Sequence, residues 1–116
     1  MDEIEELDER LDSDPDVDGV RLDIADLLGR LIGERRDYLS YWEKFWFVQA
    51  LVSLDGNIQR GQRDSTAFLR VTLLAIANAL RPAQERDENY APHRADIEAV
   101  TAELLLEYVR TLGGAA

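Results

Sequence analysis

RRDYLSYWEKFWFVQALVSL, residues 35–54, is the stretch that decides the fold class. Tyr38, Tyr41, Trp42, Phe45, Trp46 and Phe47 are six of the nine aromatic residues of the chain. At helical spacing Tyr38, Trp42, Phe45 and Gln49 share one face. Tyr41, Val48 and Val52 lie beside that face, and Phe47, Leu51 and Leu54 fall on the far side. The run does not alternate as a half-buried strand would, so the spacing predicts a helix. A helix apolar nearly all round is either the centre of a bundle or is covered by a partner. Aromatic stripes commonly pack inside. Trp and Tyr are also enriched at interfaces, and short helices enclose six large rings with difficulty. Both readings stand at this point, and we expect the six rings to contribute a partner-binding surface.

Working outward, Asp55-Gly56-Asn57 predicts a stop after Leu54, followed by a polar loop over 57–63. Asp64 or Ser65 would cap the next helix, with Phe68, Val71, Leu74 (or Ile76) and Leu80 on its buried face and Pro82 ending it. Residues 82–92 read as another connection. Ile97, Val100, Leu104, Tyr108 and Leu112 predict one last amphipathic helix, closed by Gly113-Gly114. On the N-terminal side Val20, Ile24, Leu27, Leu28 and Leu31 mark a helix face, with Asp18 its expected N-cap and Gly29 and Gly33 points where it could end or kink. Ile4, Leu7 and Leu11 suit a short helix near 2–12. Asp14-Pro15-Asp16-Val17-Asp18-Gly19 has turn chemistry. The expectation is an all-α fold: a small antiparallel bundle of about four helices over residues 20–116, preceded by an acidic N-terminal arm over 1–19 that is mobile without a partner.

Charge is distributed unevenly. Residues 1–26 hold twelve acids and two arginines, which is −10 of the net −11. The rest is nearly neutral, with twelve acids and eleven bases. A one-ended negative field attracts basic proteins or cations and repels nucleic acid and anionic membrane. The chain has no cysteine, which excludes disulfides and thiolate metal sites and suits a reducing compartment. The acidic start lacks the basic and apolar regions of a signal peptide, and no apolar run spans a bilayer. A cytoplasmic location is therefore expected.

Four patterns bear on chemistry. Asp14-Pro15-Asp16-Val17-Asp18-Gly19 resembles the start of an EF-hand loop, but Arg21 stands at the eighth position and Ala25 where the bidentate Glu is needed. Glu5-Glu6-Leu7-Asp8-Glu9 followed by Asp23-Ile24-Ala25-Asp26 resembles the E-E-x-x-E…E-x-x-D signature of all-α nucleotide pyrophosphohydrolases of the MazG type, with Asp23 in place of the first Glu of the second pair. That resemblance covers residues 5–28. It implies magnesium held by Glu5, Glu6, Glu9, Asp23 and Asp26 against a triphosphate. Arg86 and His93 resemble the loose Arg/His pattern of HEPN-type helical ribonucleases, where a His serves as acid or base. A single His excludes a ferritin-type dimetal bundle. Arg60, Arg63 and Arg70 form at most a small basic edge, so no nucleic-acid binding is expected.

These readings converge on a non-catalytic helical protein–protein interaction module, a homo-oligomer or a subunit of a larger assembly. It would use no cofactor. Tyr38, Tyr41, Trp42, Phe45, Trp46 and Phe47 would supply affinity. The acidic arm, with Asp12, Asp14, Asp16 and Asp18, would steer a basic protein partner. One alternative is the magnesium-dependent pyrophosphohydrolase. The other is an acidic inhibitor or immunity protein that imitates nucleic acid.

Overall fold

The computed structural model describes residues 2–13, 16–59, 66–87 and 90–113. These are all-helical, with no strand among the described residues. The helices are α1 (Asp2–Ser13), α2 (Val17–Glu34), α3 (Tyr41–Gln59), α4 (Ala67–Ala79), α5 (Arg94–Glu98) and α6 (Ala102–Thr111), with a single 3-10 turn at Ala83–Glu85. None is long and apolar enough to cross a membrane.

The most extensive contact joins α3 to α4. Trp42 Nε1 donates to Asn78 O at 2.8 Å near one end, and Gly56 faces the Phe68 ring near the other, so the two helices run antiparallel. Phe68, Thr72, Ala75 and Ala79 follow one heptad-like stripe. Their small members let α3 approach closely. Leu69, Leu73 and Ile76 turn from α4 into the core, where they meet Ile24, Leu28 and Ile32 of α2 and Phe47, Leu51 and Leu54 of α3. α6 pairs antiparallel with α2, as Arg36 reaches Glu103 at one end and Gly113 abuts Leu22 at the other.

The short helix expected near 2–12 is present as α1, and it packs on the other helices. Leu7 and Leu11 are buried in the common core, and Ile4 packs against it. Arg10 pairs with Asp23 at 2.7 Å and Arg30 with Glu3 at 2.6 Å, so α1 runs antiparallel to α2. Arg70 of α4 reaches both Asp8 and Asp12.

Several boundaries differ from the sequence reading, each for a local reason. α3 starts at Tyr41 because Ser40 and Glu43 form a capping box: Ser40 N–H donates to Glu43 Oε1 at 3.1 Å, and Glu43 N–H to Ser40 Oγ at 3.2 Å. The expected stop at Asp55-Gly56-Asn57 is overridden, and α3 runs to Gln59. Tyr108 Oη donates to Asp55 Oδ2 at 3.0 Å, and Asn57 is fully buried, so tertiary contacts outweigh turn composition. The expected buried face of α4 is rotated: Val71 and Leu74 are exposed, while Leu69, Leu73 and Ile76 are buried. The last helix is broken at residues 99–101, where Thr101 caps α6 by accepting from Leu104 N–H at 3.2 Å. The expected caps Asp64 and Ser65 lie outside the described residues.

The N-cap of α2 is Asp16 rather than Asp18, accepting from Gly19 N–H at 3.0 Å. A Cβ on Gly19 would stand 2.4 Å from Asp16 Oδ2, so the cap requires glycine there. Asp16→Ala should cost about 1 kcal/mol. Gly19→Ala loses the same cap but gains up to about 1 kcal/mol of helix propensity, so alone it should be near neutral. In the Asp16→Ala background the cap is already gone, and Gly19→Ala should then stabilise by about 0.5–1 kcal/mol. Urea unfolding of the four proteins checks this; additive effects would refute the coupling.

Candidate protein-binding surface

Of the six rings expected to meet a partner, Trp42, Phe45 and Phe47 are buried, Tyr41 and Trp46 are half-buried, and Tyr38 is exposed. The covering comes from the chain itself. Phe45 packs edge-on against Trp46 with centroids 5.1 Å apart and against Tyr90 at 5.4 Å. Arg94 lies over the Tyr41 ring at 4.4 Å, and Tyr41 Oη donates to Pro92 O. Arg81 lies over Trp42. The segment between α4 and α5 therefore wraps the aromatic face of α3, which sequence periodicity does not reveal because that segment has no regular pattern of its own.

The acids remain outside. Asp12, Asp16 and Asp18 are exposed; Asp14 lies outside the described residues. Asp16 is occupied as a cap, and Asp18 stands 3.7 Å from Arg21. The five carboxylates of the pyrophosphohydrolase pattern are divided. Glu6, Asp23 and Asp26 line an open groove between α1 and α2, which they share with Arg10 and Arg30. Glu5 borders a different hollow, beside Ala77, Leu80 and Pro82, and Glu9 lines neither. Among the described residues no three His, Asp or Glu side chains are grouped so as to hold a metal ion. The Arg30 hydrogen bond holds the Glu3 carboxyl below its usual range. Burial, with Asp55 beside it, pushes the Tyr108 phenol up.

The remaining chemical candidates are dispersed. His93 is exposed and takes a left-handed conformation (φ 54°) at the start of α5, while Arg86 is half-buried. Arg60 and Arg63 lie outside the described residues, and Arg70 is paired with α1 acids.

A surface absent from the sequence reading appears on the outer side of the α3–α4 pair. Val52 is 54% exposed, Val71 51% and Leu74 63%. The Trp42–Asn78 and Gly56–Phe68 anchors set Val52 level with Val71 along the antiparallel pair, while Val48 is half-buried against the core. Val71 and Leu74 are one turn apart on α4. Gln49, Ser53, Ala67 and Asn78 neighbour them along the same helices, and Arg70, one turn from Leu74, is held by Asp8 and Asp12 of α1. The signal that would have found it is the competing stripe of Thr72, Ala75 and Ala79, whose small side chains suit the helix-facing side better than Val71 and Leu74 do.

No protein-family model, curated protein or solved structure matches the chain.

Proposed function

We propose that the chain is a non-catalytic protein–protein interaction module of the cytoplasm, a homo-oligomer or a subunit of a larger assembly. The observation that carries this reading is the exposure of three aliphatic side chains, Val52, Val71 and Leu74, on the adjoining helices α3 and α4. Contiguous exposed aliphatic side chains are costly to leave in water and are covered at interfaces. The acids of α1 and α2 give the molecule a one-sided negative field, which speeds encounter with a basic protein and disfavours nucleic acid and anionic membrane. Affinity is thus assigned to the aliphatic strip rather than to the aromatic rings, which the chain covers itself. The test is a photo-crosslinking residue at Leu74, with a control at the exposed Glu107 of α6. Protein adducts specific to position 74, in extract of the source cells and with the purified chain, are expected. Adducts at neither position, or equal adducts at both, would reject the reading.

The pyrophosphohydrolase alternative draws on Glu6, Asp23 and Asp26 sharing one groove. Arg10, paired there with Asp23, and Arg30 also line that groove, and their positive charge disfavours a metal ion in it. Magnesium chloride and sodium chloride of equal ionic strength are therefore expected to shift the melting temperature alike, with no pyrophosphate released from nucleoside triphosphates. A magnesium-specific rise, with release abolished by Glu6→Gln and by Asp26→Asn, would favour the enzyme.

A further inference from the structure

We infer that α1 is a lid: it lifts as a unit from a groove between α2 and α4 while the other helices stay folded, and the opened groove takes a helix of α1's own pattern. This goes beyond the interaction reading above and does not rest on it. Among the described helices α1 packs on α2 and α4 alone. The body closes without it, because α2, α3, α4 and α6 pack on one another around Ile24, Leu28, Phe47, Leu51, Leu73 and Leu106. Helix α1 adds only Leu7 and Leu11 to that core, with Ile4 half-buried beside it. Its N-terminal half stands over a hollow on each side. One, of about 550 Å3, lies towards α2, and Glu3, Glu6, Leu7 and Asp26 line it. The other, of about 320 Å3, lies towards α4, and Ile4, Glu5, Ala77 and Leu80 line it. Segments with few buried apolar contacts open at lower free energy than the core they cover.

The contacts of α1 specify what can replace it. Arg30 of α2 pairs with Glu3 at 2.6 Å, and Arg70 of α4 pairs with Asp8 at 2.7 Å and with Asp12. Asp23 of α2 takes Arg10 at 2.7 Å. Ile4, Leu7 and Leu11 lie three and four apart, so they share the helix face that meets the core. An occupant of the groove therefore carries apolar residues at that spacing, acids towards Arg30 and Arg70, and a base towards Asp23. Lifting α1 frees both arginines from these acids and uncovers apolar sides of α2 and α4, which is the helix-in-groove mode of recognition. The connection between Ser13 and Val17 is short, so α1 competes for the groove at an effective concentration on the order of millimolar. The closed lid thus excludes a free helix of the same pattern.

Two measurements on the full chain test this. Native-state hydrogen exchange should show the amides of residues 7–11 exchanging at least about tenfold faster than those of residues 47–54, yet slower than in an unstructured peptide. A fluorescent peptide with the sequence of residues 2–13 is then titrated against the parent, against Leu7→Asp, and against Leu7→Asp combined with Arg70→Glu. A charge at the buried position 7 releases α1, because the carboxylate is costly to bury there. The amides of α3 should stay protected in Leu7→Asp, and the peptide should bind it at least about tenfold more tightly than it binds the parent. Arg70→Glu should weaken that binding, since it turns the partner of Asp8 and Asp12 into a like charge. Exchange of residues 7–11 and 47–54 through one common opening overturns the inference. So does loss of α3 protection in Leu7→Asp, which would make α1 part of a single cooperative unit. Equal binding of the peptide by the parent and Leu7→Asp overturns it as well. None of these results bears on the Leu74 crosslink, so this inference and the interaction reading can fail separately.

Discussion

Phe47→Ala should destabilise the protein by about 3–5 kcal/mol, which is a large part of the total stability of a domain this size. The ring is fully buried in the common core, among side chains from α2, α3 and α4. Deletion removes its transfer free energy and leaves a cavity that rigid helix contacts close only in part. Tyr38→Ala, in the same aromatic run, should change stability by no more than about 0.5 kcal/mol, because that ring is 70% exposed. Its hydroxyl donates only to Glu34 O, at 3.0 Å. The contrast separates the two readings of the segment. If the rings formed a partner surface left open in the monomer, Phe47→Ala would be nearly silent in urea unfolding and Tyr38→Ala no different from it. If α3 is the enclosed centre, the two differ by several kilocalories per mole.

The same helix shows what the sequence could and could not reveal. Its central position follows from being apolar nearly all round, and that property is local. Its ends follow from contacts that are not equally local. The capping box Ser40-Tyr41-Trp42-Glu43 was readable, and a start at Arg35 overlooks it. The far end was not readable, because the Tyr108–Asp55 hydrogen bond joins residues 53 positions apart and the burial of Asn57 depends on packing. In α2 one apolar face dominates, and Val20, Ile24, Leu27, Leu28 and Leu31 are all buried as their spacing predicts. In α4 two stripes compete, Phe68–Val71–Leu74 and Leu69–Leu73–Ile76, and periodicity alone does not choose between them. Arg70 and the small residues Thr72, Ala75 and Ala79 break the tie: one side goes to the acids of α1, the other to α3. The candidate binding strip is the residue of that choice, which is why it became visible only with the helices in place.

Leu11→Ala should have the second largest effect, a loss of about 2–4 kcal/mol, with Leu7→Ala close behind. Both side chains are buried, at 6% and 4% exposure, on a helix that also carries Glu5, Glu6, Asp8, Glu9 and Asp12. Two kinds of contact hold that helix. The ion pairs Arg10–Asp23, Arg30–Glu3 and Arg70 with Asp8 and Asp12 are largely exposed, and pairs of that kind add little to stability because solvent screens them. The Glu3–Arg30 pair also depends on pH. The Glu3 pKa is lowered in the folded protein, so its contribution is complete above the ordinary carboxylate range and is lost as pH falls through the lowered value. The leucines are indifferent to pH, and each outweighs any one pair. Helix α1 therefore docks by its apolar side, and the acids are carried there rather than holding it. Equilibrium unfolding at pH 7 in moderate salt should show the full loss for Leu11→Ala, and amide exchange should show Ile4–Leu11 protected in the parent protein. A cost below about 0.5 kcal/mol, with those amides exchanging freely, would mean that the segment is an arm outside the cooperative fold. In that case the acidic charge would move independently of the body.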